Sequence, residues 1–226
     1  MNRRLFCFWT GSNPMPPERL KALLGMERSG LRVEFISQQN LNDWVVKESP
    51  LHSAYPFLSA IHRADYLRVY FMHHYGGGYA DIKHISSSWI PSWNNLFESE
   101  KWAVGYREVG PRGVAMVPSI SYIRLLWNWK HLIGNGAYIF KPGTKFTTEW
   151  LSLSNKFLDS KLLELISNPA SVPEDYKGKP IGNSRSLYPI RWSELLGNIF
   201  HPLCLKYTKM ISYDLPRPNF DSNYDV

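Results

Sequence analysis

The sequence predicts an α/β fold in which one mostly parallel mixed sheet is flanked by helices. Two observations lead to this prediction: residues 5–9 form a short continuous apolar run typical of a buried strand, and a helix and a second strand follow at the spacing of a βαβ unit. A chain of 226 residues with 44% hydrophobic content can bury one sizeable core. We therefore expect a single domain over residues 1–226.

The first elements are predicted from apolar runs and from the turn residues that bound them. The strand at 5–9 ends in a Gly-Ser-Asn-Pro cluster, and a helix over 16–28 has Pro and Glu in its first turn and stops at Gly30. Residues 33–36 are predicted to be the second strand of the βαβ unit. Apolar residues at helical spacing predict a core-facing helix over 57–74 that ends at a run of three glycines.

The second half of the chain continues the α/β pattern. After a short strand at 79–82 we expect a loop to about residue 95 and a strand at 102–106. A helix over 122–133, a strand at 137–140 and a helix over 147–158 follow. Residues 168–191 contain four prolines and several small polar residues, which predicts a long mobile loop.

Charge and cysteine usage limit the function classes. The chain has 26 Lys and Arg against 19 Asp and Glu, a net charge of +7, so we expect an anionic partner: a nucleotide diphosphate, a nucleic acid or an acidic membrane surface. Cys7 and Cys204 both lie in apolar stretches, which favours two buried thiols over a disulfide and fits a reducing cytoplasm.

The hydrophobic segments predict no membrane insertion. The apolar run near the N-terminus stops at Trp9, which is too short for an export signal, and no stretch of about 18 apolar residues predicts a membrane-spanning helix. We therefore expect a cytoplasmic protein.

The residues with the clearest chemical pattern lie between 63 and 83. Asp65 and Arg68 are three residues apart on one helix and share a face, and the glycine run lets the following strand turn back so that Asp81 joins them. Carboxylates accept hydrogen bonds from sugar hydroxyls, and cations pair with a diphosphate. The residues alone leave two interpretations open, a sugar-nucleotide site or an ordinary surface ion pair beside a glycine turn.

This segment resembles the donor-site pattern of glycosyltransferases with a DXD sugar-binding region. That group includes yeast-type initiating mannosyltransferases, bacterial capsular polysaccharide synthesis proteins and, more distantly, glucosylating clostridial toxins. The matching residues are Ala64, Asp65, Arg68, Tyr75, Gly76, Gly77, Tyr79 and Asp81. Residues 8–11 also look like the family's opening strand and nucleotide-base turn, and residues 135–140 resemble, less specifically, its segment beneath the donor sugar.

The resemblance implies a GT-A, Rossmann-like fold and a nucleotide-sugar donor. Residues 1–110 would form the nucleotide-sugar-binding half, and 111–226 the acceptor side. The implied reaction transfers a hexose, with a UDP-sugar favoured over a GDP-sugar, to an O-antigen or capsule glycan assembled in the cytoplasm. The implied donor-binding residues are Trp9, Thr10, Gly11, Asp65, Arg68, Gly77, Gly78, Tyr79, Asn135 and His201.

One departure from the family pattern concerns the metal. The family's last aspartate, its principal metal ligand, is Lys83 here, and Asp81 alone is a poor ligand set for Mg²⁺ or Mn²⁺. We predict that the Lys83 ammonium supplies the positive charge itself and that no metal is required. The alternatives are a divalent metal held by Asp81 and His201, or a chain that has lost activity.

The catalytic candidates are Asp81, Lys83 and Glu194. Glu194 is a reasonable general base for the acceptor hydroxyl, and the alternative is a carboxylate at a helix N-terminus near Ser193.

The sequence is also compatible with two other classes of partner, a membrane surface and a nucleic acid. Residues 122–131 combine Trp127 and Trp129 with basic residues, which suits peripheral contact with the anionic inner face of the cytoplasmic membrane. Such contact would suit an acceptor linked to polyprenyl diphosphate, although amphipathic core packing explains the pattern as well. A basic, aromatic-rich nucleic-acid-binding protein is a further hypothesis. The absence of a recognised motif and the scattered basic residues count against nucleic acid. The third hypothesis concerns activity: the chain would be a catalytically inactive subunit of a glycan-assembly complex.

Overall fold

The computed structural model describes residues 2–117 and 120–224; Met1, Pro118, Ser119, Asp225 and Val226 lie outside the described residues. The strands are β1 (Arg4–Trp9), β2 (Arg32–Ser37), β3 (Gly77–Ala80), β4 (Ala103–Arg107), β5 (Ile133–Phe140), β6 (Pro180–Ile181), β7 (Ser184–Arg185) and β8 (Ile211–Ser212). The α-helices are α1 (Pro17–Gly25), α2 (Ala60–His74), α3 (Ile90–Phe97), α4 (Ile120–Trp127), α5 (Lys145–Ser167) and α6 (Gly197–Lys206).

Six strands form one sheet in the order β2-β1-β3-β5-β4-β8. β1 pairs in parallel with both β2 and β3, and β4 pairs in parallel with β8. β5 is antiparallel to its neighbours β3 and β4, so β5 runs opposite to the other five. The mostly parallel mixed sheet and the β1-α1-β2 unit predicted from the sequence are therefore confirmed.

The core lies on both faces of this sheet. Phe6 and Phe8 of β1 pack with α2, α5 and α6, whereas Leu5 and Cys7 point to the other face, towards α1 and α3. A strand covered on both sides needs apolar residues at every position, which explains the continuous apolar run. Cys7 and Cys204 are both buried free thiols, as predicted, and burial raises the pKa of the Cys7 thiol to about 12.

The glycine run connects α2 to β3 through a tight turn. Gly76 and Gly77 have φ values of 62° and 90°, in the left-handed region that favours glycine. A Cβ atom at Gly76 would lie 2.5 Å from Cδ of Pro142 and 2.9 Å from the carbonyl oxygen of Phe140. The turn therefore lets β3 enter the centre of the sheet directly after α2, so Asp81 at the end of β3 lies close to α2.

Several element boundaries differ from the sequence predictions. Helix α3 lies in the stretch predicted as a loop, because the aromatic residue Trp93 is buried against the sheet rather than exposed. The predicted helix over 122–133 ends at Trp127, and Ile133 already begins β5. α5 continues to Ser167, well beyond the predicted end at 158.

The segment 168–191, predicted to be a mobile loop, contains the β6–β7 hairpin and is joined to α2 and the turn before it. The amide of Ala60 donates to the carbonyl of Pro173 at 2.8 Å, and the amide of Ala170 donates to the carbonyl of Phe57 at 3.1 Å. These contacts hold the start of the segment beside the N-terminus of α2. Within the described residues, no helix is both long and apolar enough to cross a membrane.

Candidate functional site

A cleft of about 630 Å³ opens where β1 and β3 end. The chain leaves β1 to form β2 on one side and later returns to form β3 on the other side. In open α/β sheets this change of direction creates a crevice outside the carboxyl ends of the strands, where ligands bind. The lining residues are Phe8, Trp9, Thr10, Gly11, Asn13, Pro16, Arg19, Ala60, Ile61, Ala64, Arg68, Tyr79, Asp81, Ile82, Lys83, Pro173, Glu174 and Trp192.

Arg68 is the centre of the polar network at the base of the cleft. One guanidinium nitrogen lies 3.0 Å from Oδ1 of Asp81, and the other donates to the carbonyl of Asn135 at 3.0 Å. The guanidinium also lies over the ring of Tyr79, 4.6 Å from its centroid, and 3.7 Å from a carboxylate oxygen of Asp65. The structure thus brings together Asp65, Arg68 and Asp81. These are the three residues that the sequence predicts to be close to one another, from the helical spacing and the glycine turn.

Asp65 and Asp81 occupy different environments. Asp65 is buried beneath Arg68 and does not line the cleft; burial raises its pKa to about 7, with Arg68 opposing the shift and Asp81 adding to it. Asp81 is partly exposed in the cleft and accepts a hydrogen bond from the Tyr79 hydroxyl at 2.5 Å. Asp81 is therefore the carboxylate that a ligand can reach, whereas Asp65 supports Arg68 from behind.

Two further cations line the cleft beside Asp81. The ammonium of Lys83 lies 4.0 Å from the ring centroid of Tyr224, and the guanidinium of Arg19 lies between Tyr224 and Trp9, 5.8 and 5.9 Å from their rings. Tyr224 is fixed because its hydroxyl accepts from the amide of His84 at 3.0 Å. Arg19, Lys83 and Arg68 give this part of the cleft three positive groups.

The turn after β1 forms another wall of the cleft. The Thr10 hydroxyl donates to the carbonyl of Ala60, and the Gln38 amide donates to the carbonyl of Thr10 at 2.7 Å. The indole N–H of Trp9 donates to the carbonyl of Asn13 at 2.9 Å. These bonds fix Trp9, Thr10 and Gly11, all three predicted donor-site residues, at the edge of the cleft.

Residues from the segment 168–191 and from just after it form the opposite wall. Pro173, Glu174 and Trp192 line the cleft there, and the Trp192 side chain is 57% exposed. Trp192 is held edge-on against Tyr176, with ring centroids 5.5 Å apart. Glu174 was not among the residues predicted from the sequence, because it is distant in sequence from the glycine run and only the folded chain brings it to the cleft.

Some predicted site residues do not line the cleft. Gly77 and Gly78 are buried within β3, where their lack of a side chain allows close packing against β1. Asn135 contributes its backbone carbonyl to Arg68 rather than its side chain to the cleft. These three positions shape the site from behind.

Glu194 and His201 also lie outside the lining residues. Glu194 accepts a hydrogen bond from the amide of Arg191 at 2.8 Å and so stabilises the turn before α6. This structural role is similar to the alternative given above, a carboxylate at a helix N-terminus. His201 is fully buried on α6, where its Nδ1 accepts from the amide of Ala115 at 3.1 Å, and burial lowers its pKa to about 4. Its other ring nitrogen faces Glu108 at 3.8 Å.

The side chains at the base of the cleft do not fit a divalent cation. Asp81 is shared with Arg68 and Tyr79, and the next charged residue along the chain, Lys83, would repel a metal ion. His201, the other residue that the sequence offers as a metal ligand, does not line the cleft. Its Nδ1 atom already accepts a hydrogen bond from the amide of Ala115. Over residues 2–117 and 120–224, no group of three or more His, Cys, Asp or Glu side chains is arranged to hold a metal.

Comparisons with protein-family models, with curated proteins and with solved structures found no match to this chain.

Proposed function

We propose that this protein is a glycosyltransferase of the GT-A type that moves a hexose from a nucleoside diphosphate sugar, with UDP favoured, to a surface-polysaccharide acceptor such as O-antigen or capsule. The observation that carries the proposal is the cleft at the switch point between β1 and β3, where Arg68, Lys83 and Arg19 line the same space as the Asp81 carboxylate, which Arg68 holds at 3.0 Å. The donor-site resemblance of residues 64–81 supports the same assignment. We propose a cytoplasmic location for the reaction.

The cleft offers distinct surfaces for the parts of such a donor. Lys83 and Arg19 are suited to the diphosphate, since ammonium and guanidinium groups pair with phosphate oxygens. Trp9 offers an aromatic ring near the turn after β1, which suits a nucleobase. Asp81 can accept hydrogen bonds from sugar hydroxyls while Arg68 holds its orientation.

The proposed transfer requires charge stabilisation and one proton acceptor. The bond between the anomeric carbon and the diphosphate oxygen breaks, the acceptor oxygen bonds to that carbon, and the nucleoside diphosphate leaves with the bonding electron pair. Lys83 and Arg19 would stabilise the negative charge that develops on the leaving group. Among the described residues lining the cleft, Asp81 and Glu174 are the carboxylates that could take the acceptor proton, whereas Glu194 turns towards the amide of Arg191.

The proposal is tested by measuring release of nucleoside diphosphate from UDP- and GDP-hexoses by the full chain. Arg68→Ala should lower turnover at least about tenfold, because Asp81 loses its orienting partner and the cleft loses a cation. Arg63→Ala is the matched control: Arg63 lies on the same helix but outside the cleft, where it donates to the carbonyl of Pro56, and its loss should leave turnover unchanged. Melting by circular dichroism establishes that each variant is folded.

Three results would contradict the proposal. Full activity in both Arg68→Ala and Asp65→Ala would mean that the site has been misplaced. Thermal stabilisation by UDP or GDP without any turnover would favour the inactive glycan-assembly subunit. Oligonucleotide binding with a steep salt dependence and no response to nucleotides would favour a nucleic-acid-binding protein.

A further inference from the structure

An exposed apolar and basic surface lies at the same edge of the sheet as the cleft. The chain leaves β4 at Arg107 and enters the antiparallel strand β5 at Ile133. Because β5 runs against the other strands, the end of β4 and the start of β5 both lie at the edge where β1 and β3 end. The connection over 108–132, which includes α4, therefore belongs to the cleft's edge.

Helix α4 has an inner and an outer face. Leu125 is buried, and Tyr122 and Leu126 pack against the core, so these three residues fix the helix on the body of the protein. Ile123 and Trp127, four residues apart, point outwards and are 50% and 84% exposed. The outer face is thus apolar, although the inner face already provides the packing that the helix needs.

The loop before α4 also carries exposed apolar side chains. Met116 is 74% exposed, and Val109 is also largely exposed. The segment after α4 is held in place, because Arg107 donates to the carbonyl of Lys130 at 2.6 Å and the Tyr213 hydroxyl donates to the carbonyl of His131 at 2.7 Å. The apolar side chains are therefore presented on an anchored segment.

The charge of this segment is positive throughout. No acidic residue occurs in the sequence from 109 to 148, whereas Arg112, Arg124 and Lys130 lie in the part between the two strands and are exposed. Such a surface is suited to the interface of an anionic bilayer. Exposed tryptophan and aliphatic side chains can enter the headgroup region, while Arg and Lys pair with lipid phosphates and no acidic residue opposes them.

We propose that the outer face of residues 109–117 and 120–131, with Trp127, Ile123 and Met116 as apolar contacts and Arg124, Lys130 and Arg112 as basic contacts, docks on a membrane rich in anionic phospholipid. Because this face shares the sheet edge with the cleft, docking would hold the cleft at the membrane surface. If the proposed function is correct, the acceptor is then a lipid-linked glycan rather than a soluble one.

The lipid claim is tested without any activity, by sedimenting the full chain with vesicles of phosphatidylcholine alone or mixed with phosphatidylglycerol. We expect the protein to pellet with phosphatidylglycerol vesicles at low salt, to be released at high salt, and to stay in the supernatant with phosphatidylcholine alone. Trp127→Ala should weaken partitioning by about tenfold. Leu24→Ala, which removes an exposed leucine from α1, is the control and should have no effect.

A second pair of variants separates this surface from the overall charge. Arg124→Glu and Lys156→Glu change the net charge equally and both positions are exposed, but Lys156 lies on α5, outside the segment. Arg124→Glu should reduce vesicle binding at least about fivefold more than Lys156→Glu. Equal effects of the two variants, or equal recovery in the supernatant with both lipid mixtures at low salt, would overturn the proposal. A dimer in solution that Trp127→Ala converts to a monomer would assign the surface to a second copy of the chain and would also overturn it.

Failure of the two proposals can be told apart. Vesicle binding without nucleotide-sugar turnover would leave the docking surface standing and remove the glycosyltransferase. Turnover without vesicle binding would leave the glycosyltransferase proposal standing and remove the docking surface.

Discussion

Asp65 is a carboxyl group enclosed by protein, and the Arg68 guanidinium lies between it and the Asp81 carboxylate. Burial is the main cause that raises its pKa, the Arg68 guanidinium lowers it, and the Asp81 carboxylate raises it further, for a result of about 7 instead of 3.8. Near neutral pH, the group therefore lies close to the point where it gains or loses a proton. The strength of its contact with Arg68 should depend on pH accordingly.

The raised pKa predicts how stability changes with pH. The folded state holds the Asp65 proton to higher pH than the unfolded chain, so the stability contributed by that proton is complete below pH 3.8 and is lost as pH rises towards 7. Asp65→Asn keeps the shape and cannot ionise. The free energy of unfolding of the wild type should therefore fall relative to that of Asp65→Asn, by roughly 3 kcal/mol between about pH 5 and pH 8.

Urea unfolding at several pH values measures this difference. Asp43→Asn, at an exposed carboxylate away from the cleft, is the control and should follow the pH dependence of the wild type. Parallel curves for the wild type and Asp65→Asn would show that Asp65 ionises as freely as it does in the unfolded chain.

At the residue scale, the sequence identified the groups that are close together along the chain. Asp65 and Arg68 are neighbours through helical spacing, and the glycine turn accounts for Asp81, so local geometry was enough. Arg19, Glu174 and Tyr224 were missed because they come from three separate parts of the chain. No local pattern marks them, and only tertiary packing brings them to the cleft or, for Tyr224, against Lys83.

At the scale of elements, the turn between α2 and β3 determines the geometry of the site. Gly76 has a φ of 62° and packs against Pro142 and the carbonyl of Phe140. Gly143 has nearly the same φ, 63°, but a Cβ atom added there would meet nothing within 4 Å. The two glycines thus differ in packing and not in backbone conformation.

This pair predicts two different costs of substitution by alanine. Gly143→Ala should lose about 1 kcal/mol of unfolding free energy, which is the cost of a left-handed alanine. Gly76→Ala adds an overlap with backbone and ring atoms and should lose about 3 kcal/mol or more. Both values can be measured by urea unfolding. Equal losses in the two variants would show that the turn does not pack closely against Pro142.

Element prediction succeeded where the periodicity was clear. The apolar run of β1 and the helical spacing of α2 were recognised, and α5 was predicted but is longer than expected. β5 was predicted too short because Gly134, Asn135 and Gly136 interrupt its apolar residues, yet all three lie in the strand. Helix α6 was not predicted; it contains Pro202 within its length, a residue that normally ends a helix.

At the scale of the whole molecule, two groups of basic residues contribute to the net charge of +7 and lie in regions with different chemistry. One is the cleft, which is lined by Arg19, Lys83 and Arg68 and has the Asp81 carboxylate at its base. The other is the exposed segment containing α4, which combines basic and apolar side chains. The composition alone predicted an anionic partner, but the separation into two surfaces required the fold, because the order of the strands places both at one edge of the sheet.

The central claim is that this cleft transfers a sugar and that Lys83 provides the cation which a metal would otherwise supply. The most direct measurement is release of nucleoside diphosphate from the donor sugar in excess EDTA, comparing the wild type, Lys83→Ala and the distant control Lys156→Ala. The wild type and Lys156→Ala should keep their rates. Lys83→Ala should lose at least about tenfold, because the leaving diphosphate lacks its countercharge. Lys83→Asp should regain part of the rate, and only with Mn²⁺. Activity of the wild type that EDTA abolishes and Mn²⁺ restores, together with a full rate in Lys83→Ala, would contradict this account.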